Sequence, residues 1–321
     1  MNNFIPLLFA GFFLFGAAST AGLQARYAAV DLAPTPLRGR HLSTIVWATT
    51  IGAVAGPNLS AFAGTTLERF GVPTLAGPFG FSAVLFGVAS LLLLLFMRPD
   101  PAIVAGETTR AAGGGNNSPN QKRAGMSQAL QTIAVHPPAR LGVAAMAIGH
   151  LVMVGVMAMT PVHIRSASHD AADTLRIVGV VLSLHVAGMY AFSPVFGWLT
   201  DRLGRRPVIL IGIAFLLIAC TLAATAQHNA SRLALGLTVL GLGWSSSMVA
   251  GSTLLSESVP VELRTSAQGL SDFLMGVAGA TAGALSGVVV DAWGFATLAF
   301  IAGGIALPFV LFAAPSGRRQ S

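Results

Sequence analysis

The sequence predicts an all-α, polytopic membrane protein. Hydrophobic residues make up 54% of the 321 residues and charged residues only 9%, whereas soluble domains carry about 25% charged residues. The mean hydropathy is +0.74. Apolar runs such as 91–95 and 210–217 do not alternate with polar residues as membrane β-strands do. Many apolar stretches are long enough to cross a bilayer as helices of about 20 residues, so we expect a helical bundle.

Nine membrane-spanning helices are predicted along the chain. They cover 4–27, 41–63, 75–97, 141–163, 177–199, 206–226, 231–254, 267–290 and 295–314. The most polar stretch, 98–136, contains a run of Gly, Asn, Ser and Pro that is typical of a linker. We therefore expect a partial amino-terminal half of three helices (1–97), a cytoplasmic linker (98–136) and a complete carboxy-terminal half of six helices (137–321).

The placement of basic residues predicts the orientation of the bundle. When the loop at 201–206 is put inside, 14 of the 18 Arg and Lys residues fall on the cytoplasmic side, Arg26 among them. The outer set is Arg69, Arg165, Arg176 and Arg232. Cytoplasmic loops of membrane proteins carry such an excess, which predicts an outside amino terminus and an inside carboxy terminus. Topology thus explains the formal net charge of +7 better than a nucleic-acid partner does.

A short motif occurs twice. The first copy is 31–38 (DLAPTPLR) and the second is 257–264 (ESVPVELR), an offset of 226 residues from 31 to 257. The acid, proline, leucine and arginine keep the same spacing, as expected of the parallel repeats of secondary transporters. The charged residues that repeat are Asp31, Arg38, Glu257 and Arg264, and we expect them to form gate salt bridges. Within its own half, the second copy is preceded by four spans, whereas the first copy is preceded by one. Three further spans are therefore expected upstream of Met1.

A longer motif lies in the loop between the fifth and sixth predicted spans. The sequence 197–207 reads GWLTDRLGRRP. It is similar to the signature G-x-L-x-D-R-x-G-R-[RK] of the Major Facilitator Superfamily, which occurs between helices 2 and 3 and, more weakly, between helices 8 and 9. The matching positions are Gly197, Leu199, Asp201, Arg202, Gly204, Arg205 and Arg206. By the repeat offset this is the second-half copy, so the chain resembles helices 4 to 12 of a twelve-helix member.

The residue types of this motif suit a conformational latch, the role that the resemblance implies. Gly197 would let two helices approach closely, and Gly204 would permit a tight turn. Asp201 could accept hydrogen bonds from the amino terminus of a neighbouring helix, where its charge is favoured. The three arginines could pair with carboxylates. An ordinary positive-inside loop would explain the arginines but not the Gly–Asp–Gly spacing.

A second element of resemblance lies in the span 41–63. Gly52, Gly56 and Pro57 match part of the G-x-x-x-G-P-x-x-G-G pattern that proton-coupled exporters of the family carry in helix 5. Generic packing of small residues is the alternative reading. The match favours export over uptake. The chain departs from the family at Phe12, where many such antiporters carry an arginine in helix 4, and this puts the usual proton relay in doubt.

Few ionisable or polar groups lie within the predicted spans, and such groups tend to be functional because they are costly in a bilayer. His150 and His185 are candidate proton carriers or, alternatively, structural hydrogen-bonding groups. Asp272 is a candidate proton or substrate site or, alternatively, the partner of a nearby arginine. Candidate solute contacts are Asn58, Tyr190, Gln24 and Gln268.

The sequence therefore predicts a secondary active transporter that moves a small solute by alternating access, coupled to protons and directed to efflux. Arg, Ala and Gly are abundant while Lys122 is the only lysine, which indicates the cell membrane of a bacterium. Membrane lipid, the solute and protons are the expected partners.

Two other functions stay open at this point. One is a non-transporting remnant, or a full-length transporter whose start codon was misplaced. The other is a polytopic membrane enzyme, but the chain has no G-x-S-x-G, no H-E-x-x-H and no phosphate-binding G-x-x-x-x-G-K. Its single cysteine, Cys220, cannot form a disulfide within the chain or a cysteine-based metal site. We expect no enzymatic activity, metal or cofactor.

Overall fold

The structure is a computed structural model that describes residues 5–72, 76–111, 125–167, 171–227 and 229–313, and all regular elements in these ranges are helices. The helices are α1 (Ile5–Asp31), α2 (Arg38–Glu68), α3 (Gly77–Phe96), α4 (Pro101–Ala111), α5 (Met126–Val135), α6 (Pro137–Ala167), α7 (Ala171–Tyr190), α8 (Ser193–Leu203), α9 (Arg205–Ala224), α10 (Ala230–Ser258) and α11 (Val261–Ala313). A 3₁₀ turn at Thr35–Leu37 connects α1 to α2.

The helices follow the apolar runs of the sequence. Among the described residues, six helical stretches are long and apolar enough to cross a membrane. The last of them, Val261–Val310, contains a break at Gly294, where φ is +81°. This break falls between the predicted spans 267–290 and 295–314. The prediction of an all-α, polytopic membrane protein is confirmed, while the number of spans and the orientation stay predictions.

One predicted span is interrupted. The chain turns at 191–192, between α7 and α8, so 177–199 forms two helices instead of one. Pro194 lies in the first turn of α8, a position that proline tolerates because its missing N–H has no helical partner there. The Ser193 hydroxyl donates to the carbonyl of Tyr190 at 2.7 Å and satisfies one of the carbonyls that the break leaves free.

The predicted linker contains two short helices. Its described parts are α4 and α5, and Ala105, Ala129 and Ile133 are buried there. α5 packs against α6 and α11. The polar, glycine-rich composition concealed these helices, because a helix of about ten residues gains most of its stability from tertiary contacts and little from its own sequence. The division of the chain into halves and linker stays a prediction.

α10 is the central helix of the carboxy-terminal group α6–α11. It packs against α6, α7 and α9, and small residues make those contacts close. A Cβ atom on Gly142 of α6 would lie 2.7 Å from the carbonyl oxygen of Gly251. On α7, a Cβ on Gly188 would collide with the carbonyl oxygen of Thr238. Small residues at such crossings let membrane helices gain van der Waals contact without a hydrophobic driving force.

The amino-terminal helices meet the carboxy-terminal group at one end of the bundle. α1 packs against α10 and α11, and α2 packs against α7 and α8. Many polar contacts between the two groups lie near the α8–α9 connection at Gly204. We call this end of the bundle the latch end.

Candidate functional site

The carboxylate of Asp201, in the last turn of α8, caps the amino terminus of α2. Its Oδ1 accepts a hydrogen bond from the backbone N–H of Gly39 and its Oδ2 accepts one from the N–H of Arg40, both at 2.9 Å. The side chain of Asp201 is only 5% exposed. The first N–H groups of a helix have no helical partner, and the helix dipole favours a negative charge there. One side chain thus ties α8 to α2.

The capping contact requires the two helices to approach very closely. A Cβ atom on Gly197 would collide with the Ser43 hydroxyl and lie 2.6 Å from the carbonyl oxygen of Gly39. A Cβ on Gly39 would lie 2.7 Å from both Oδ1 of Asp201 and the carbonyl oxygen of Gly197. The Ser193 hydroxyl also lies 3.0 Å from the carbonyl oxygen of Ser43. Only glycine leaves room for this crossing of α2 and α8.

The turn after α8 depends on Gly204, whose φ is +92°. Side chains other than glycine rarely adopt such a backbone conformation. The sharp turn sends α9 back into the bundle directly after α8. It also places the arginines of the motif beside the ends of α1 and α10.

Arg205 joins three segments at the latch end. Its guanidinium donates to both carboxylate oxygens of Glu257 on α10, at 2.7 and 2.9 Å. It also donates to the carbonyl oxygens of Thr200 at 3.0 Å and Thr35 at 3.1 Å. Such two-pronged pairing is the geometry in which arginine binds carboxylates best. The other arginines differ: Arg202 is exposed and lies over the Trp198 ring at 5.0 Å, and Arg206 is half-buried.

The repeated motifs lie against each other. A guanidinium nitrogen of Arg264 is 3.4 Å from Oδ1 of Asp31, and one of Arg38 is 4.0 Å from Oε1 of Glu257. Burial raises the pKa of the Asp31 carboxyl above its ordinary value, against the opposing charge of Arg264. Burial and the like charge of Arg264 lower the pKa of Arg38. The acid of each copy thus faces the arginine of the other.

A second ion pair lies deeper in the bundle. Arg26 of α1 pairs with Asp272 of α11, and their side chains are only 4% and 5% exposed. The amide of Gln24 donates to the other carboxylate oxygen of Asp272 at 3.1 Å. The Arg26 guanidinium also donates to the Tyr27 hydroxyl at 3.3 Å. Arg26 was counted on the cytoplasmic side of the bundle; its side chain is buried in the last part of α1, which continues to Asp31, and the orientation stays a prediction.

His150 belongs to an aromatic group that α6, α7 and α10 form together. Its Nδ1 accepts a hydrogen bond from the indole N–H of Trp244 at 3.2 Å. Trp244 meets the ring of Tyr190 edge-to-face, with centroids 5.7 Å apart. Gly279 of α11 makes room for the imidazole, because a Cβ there would lie 2.6 Å from its Cδ2 atom.

His185 is placed differently. It is fully buried between α7 and α10, where its Nδ1–H donates to the carbonyl oxygen of Leu237 at 2.8 Å. Its Nε2 has no hydrogen-bond partner among the described residues. Gln268 is also buried, and its amide lies 3.5 Å from the Ser256 hydroxyl within the carboxy-terminal group. Gln268 lies one turn before Asp272 on α11, whereas His185 lies on α7.

The remaining predicted site residues lie on α1 and α2. Gly52, Gly56 and Pro57 are within the continuous helix α2. No atom of the described residues comes within 4 Å of a Cβ built on Gly52, so close helix packing is not found at that position. The side chains of Asn58 and Phe12 lie outside the described residues.

Sequence reasoning missed Arg26, Tyr27 and Trp244. All three are buried, and Tyr27 reaches across to α10, where its hydroxyl lies 3.5 Å from that of Ser252. One signal could have found Arg26: it follows Gln24 within one turn of a predicted span. A polar pair at the end of a span is otherwise indistinguishable from the start of a charged loop.

Comparisons with known proteins agree with this geometry. A model of the family described as Major Facilitator Superfamily matches residues 168–320. Two uncharacterized MFS-type transporters of Bacillus subtilis (strain 168) are each 37% identical: YddS over 290 residues, which are 90% of this chain and 64% of that protein, and YdeG over 306 residues, which are 95% and 69%. The chain thus spans about two thirds of the length of these relatives.

A solved structure has a similar fold. The crystal structure of the E. coli fucose:proton symporter FucP matches with a TM-score of 0.63 and 15% sequence identity, covering 92% of this chain and 73% of that one. At this identity the likeness concerns the fold alone. The family model, the two Bacillus relatives and the shared fold agree with the loop motif, and the chain belongs to the Major Facilitator Superfamily.

Proposed function

We propose that this protein is a secondary active transporter that moves a small solute by alternating access, coupled to protons. The observation that carries the proposal is the set of contacts at the latch end, where Asp201 caps α2 and three arginines pair with Glu257 and Asp31. Apart from the Arg205–Glu257 pair, which lies within the carboxy-terminal group, these contacts join α1 and α2 to a different group of helices. They are polar, so solute binding or a change of protonation can weaken them.

The strength of such contacts suits a gate. A charge-assisted hydrogen bond contributes about 1.5–3 kcal/mol, and a partly exposed ion pair contributes about 1 kcal/mol or less. A handful of them holds the end closed, yet solute binding or protonation can offset them. The capping bonds of Asp201, the bond from Arg205 to the carbonyl oxygen of Thr35, and the pairs Asp31–Arg264 and Arg38–Glu257 are therefore the proposed parts of the gate.

Asp272 is the proposed site of proton coupling. Its carboxylate is buried in the bundle and paired with Arg26, and intramembrane ionisable groups of this kind serve as proton relays. Protonation of Asp272 would remove the ion pair that ties α11 to α1 and leave weaker hydrogen bonds in its place. Proton binding would thereby favour separation of the two helices. His150 is a second candidate, because it is half-buried in the bundle, where its Nδ1 accepts a hydrogen bond from the indole N–H of Trp244.

The proposed direction is export, in the cell membrane of a bacterium. The resemblance of Gly52, Gly56 and Pro57 to the helix 5 element of proton-coupled exporters supports it. Solute would leave the cell as protons enter, which makes the protein an antiporter.

A distance measurement tests the gate and its proton dependence without knowledge of the solute. Spin labels would be attached to Leu32→Cys and Leu203→Cys, both at least half exposed near the latch end, in a Cys220→Ser background. We expect a single short distance at about pH 8 and an added longer distance at about pH 5.5, because carboxyl groups gain protons on acidification. Asp272→Asn should show the longer distance at both pH values.

Asp291→Asn, at an exposed position of α11 just before the break at Gly294, is the matched control and should behave like the wild type. Equal distances at both pH values, or an Asp272→Asn variant that follows the wild type, would contradict proton coupling. Transport itself is tested in everted bacterial vesicles with an acidic interior, where an acridine dye reports the pH gradient. Solutes from a panel of neutral, anionic and cationic organic molecules should dissipate the gradient with the wild type only. No response to the whole panel would count against export.

A further inference from the structure

A cleft of about 680 Å³ lies between α7 and α10, at the end of the bundle away from the latch. Its walls include Val180 and Leu184 of α7 and Ala234, Leu235 and Thr238 of α10. Its volume is within the range of about 300–1,000 Å³ that is typical of small-molecule sites. The latch and the buried ion pair do not use it.

The cleft lies on the side of α10 that faces the amino-terminal helices. Ala234 and Ser252 are 18 residues apart, which is five full turns of an α-helix, so they share one face of α10. Near the latch end, Ser252 on that face contacts Tyr27 of α1. The opposite side of α10 packs against α9: a Cβ on Gly236 would lie 3.2 Å from the backbone nitrogen of Ala223. The cleft is therefore continuous with the surface along which the two groups of helices meet.

The chemistry of the walls selects the ligand. Among the residues that the structure describes, no charged side chain lines the cleft, and the side-chain polar groups on its walls are the hydroxyls of Ser231 and Thr238. The Thr238 hydroxyl already donates to the carbonyl oxygen of Ala234 at 2.7 Å, so it offers a ligand only its lone pairs. An ion placed here would lose its hydration without gaining a partner, and this is strongly unfavourable.

We propose that the α7–α10 cleft binds an uncharged, largely apolar organic solute, and that the transported solute belongs to this class. The cleft can supply one or two hydrogen-bond acceptors to such a molecule and excludes organic ions. The part that concerns transport rests on the proposed function. The part that concerns binding does not, because the cleft can be probed without a proton gradient.

Photolabelling with a charge series tests the proposal. The purified protein in lipid nanodiscs would be irradiated with benzophenone, with its 4-carboxylate and with its 4-trimethylammoniomethyl derivative, and the labelled peptides mapped by mass spectrometry. Labelling of 177–184 and 230–238 is expressed relative to 91–95 of α3, an exposed run of leucines that corrects for partitioning into lipid. We expect the ratio for benzophenone to exceed that for either ion by about tenfold, since 1.4 kcal/mol of discrimination corresponds to that factor.

Two variants fill the cleft from opposite walls. Val180→Trp and Leu235→Trp replace side chains that are 53% and 55% exposed, so they remove little core packing. Each should lower the labelling ratio of the cleft to that of the reference site. Val288→Trp replaces a side chain of α11 that is 64% exposed. This variant is the control and should leave the ratio unchanged. Size-exclusion chromatography verifies that all three variants are folded.

Three outcomes would overturn the inference: equal labelling of the cleft by the ions, retained labelling in both tryptophan variants, or a bound phospholipid in native mass spectra that is lost only from those variants. The last result would make the occupant a lipid chain. The two proposals fail separately. If the cleft is labelled but no solute flux is found, the proposed transport function is contradicted and the proposed class of ligand is retained. If flux is found but the cleft is not labelled, only the inference about the cleft is contradicted.

Discussion

The carboxylate of Asp31 lies 3.4 Å from the guanidinium of Arg264, and each residue comes from a different copy of the repeated motif. The reciprocal pair, Arg38 with Glu257, is 4.0 Å apart. Repeats related by an axis along the membrane normal place equivalent surfaces against each other, and this exchange of partners is the expected result. The sequence identified the four residues, and the structure shows that the acid of each motif copy pairs with the arginine of the other copy at the latch end.

The Asp31–Arg264 pair should contribute measurably to closure of the latch end. Both side chains are about nine-tenths buried, so the pair is screened less than a surface pair. In a double-mutant cycle with Asp31→Asn and Arg264→Gln, we expect a coupling energy of about 1–2 kcal/mol, the range of charge-assisted hydrogen bonds. Thermal unfolding of the detergent-solubilised protein measures it. Additive effects of the two substitutions would show that the pair has no energetic role.

Gly197→Ala should separate α2 from α8. The added methyl group would collide with the Ser43 hydroxyl and approach the backbone of Gly39, and overpacking of this kind costs about 1–3 kcal/mol. We expect a lower Tm and a longer distance between spin labels at the latch end. Gly52→Ala on α2 is the matched control, because no described atom lies within 4 Å of a Cβ at that position. An effect of Gly52→Ala as large as that of Gly197→Ala would refute the steric argument.

Asp201→Asn should weaken the cap of α2. The amide keeps one acceptor oxygen but loses the second acceptor and the charge, so we expect a loss of about 1 kcal/mol. Hydrogen exchange followed by mass spectrometry checks this directly, since the amides of Gly39 and Arg40 should exchange several-fold faster. Asp291→Asn provides an exposed control for the same chemical change. Unchanged exchange at 39–40 would mean that the bonds to Asp201 do not protect these amides.

The Arg26–Asp272 pair should behave as a buried unit. Arg26→Met leaves an unpaired carboxylate in the bundle, and breaking a buried pair in this way costs about 3–5 kcal/mol. Replacing both residues, as Arg26→Met with Asp272→Leu, should restore much of the lost stability because no charge is left behind. Thermal unfolding compares the single and double variants. A double variant less stable than either single variant would show that the charges themselves stabilise the fold.

Local signals in the sequence determined the fold class and the identity of the latch. Apolar runs of helical length need no tertiary information, because a bilayer forces each backbone polar group into helical hydrogen bonds. Gly204 meets a backbone requirement of the turn itself, and the Gly197–Asp201–Gly204 spacing can be recognised as a motif without knowledge of what the residues contact. These features depend on residues close in the chain.

Tertiary structure alone decided which residues meet. Arg26 and Asp272 are 246 residues apart in the chain, and no local pattern indicates which arginine Asp272 faces. Its partner becomes visible only when α1 lies against α11. The break between α7 and α8 and the cleft between α7 and α10 likewise depend on how whole helices pack. The sequence by itself therefore determined the helices and the latch motif, whereas long-range packing decided the ion pairs and the candidate binding cleft.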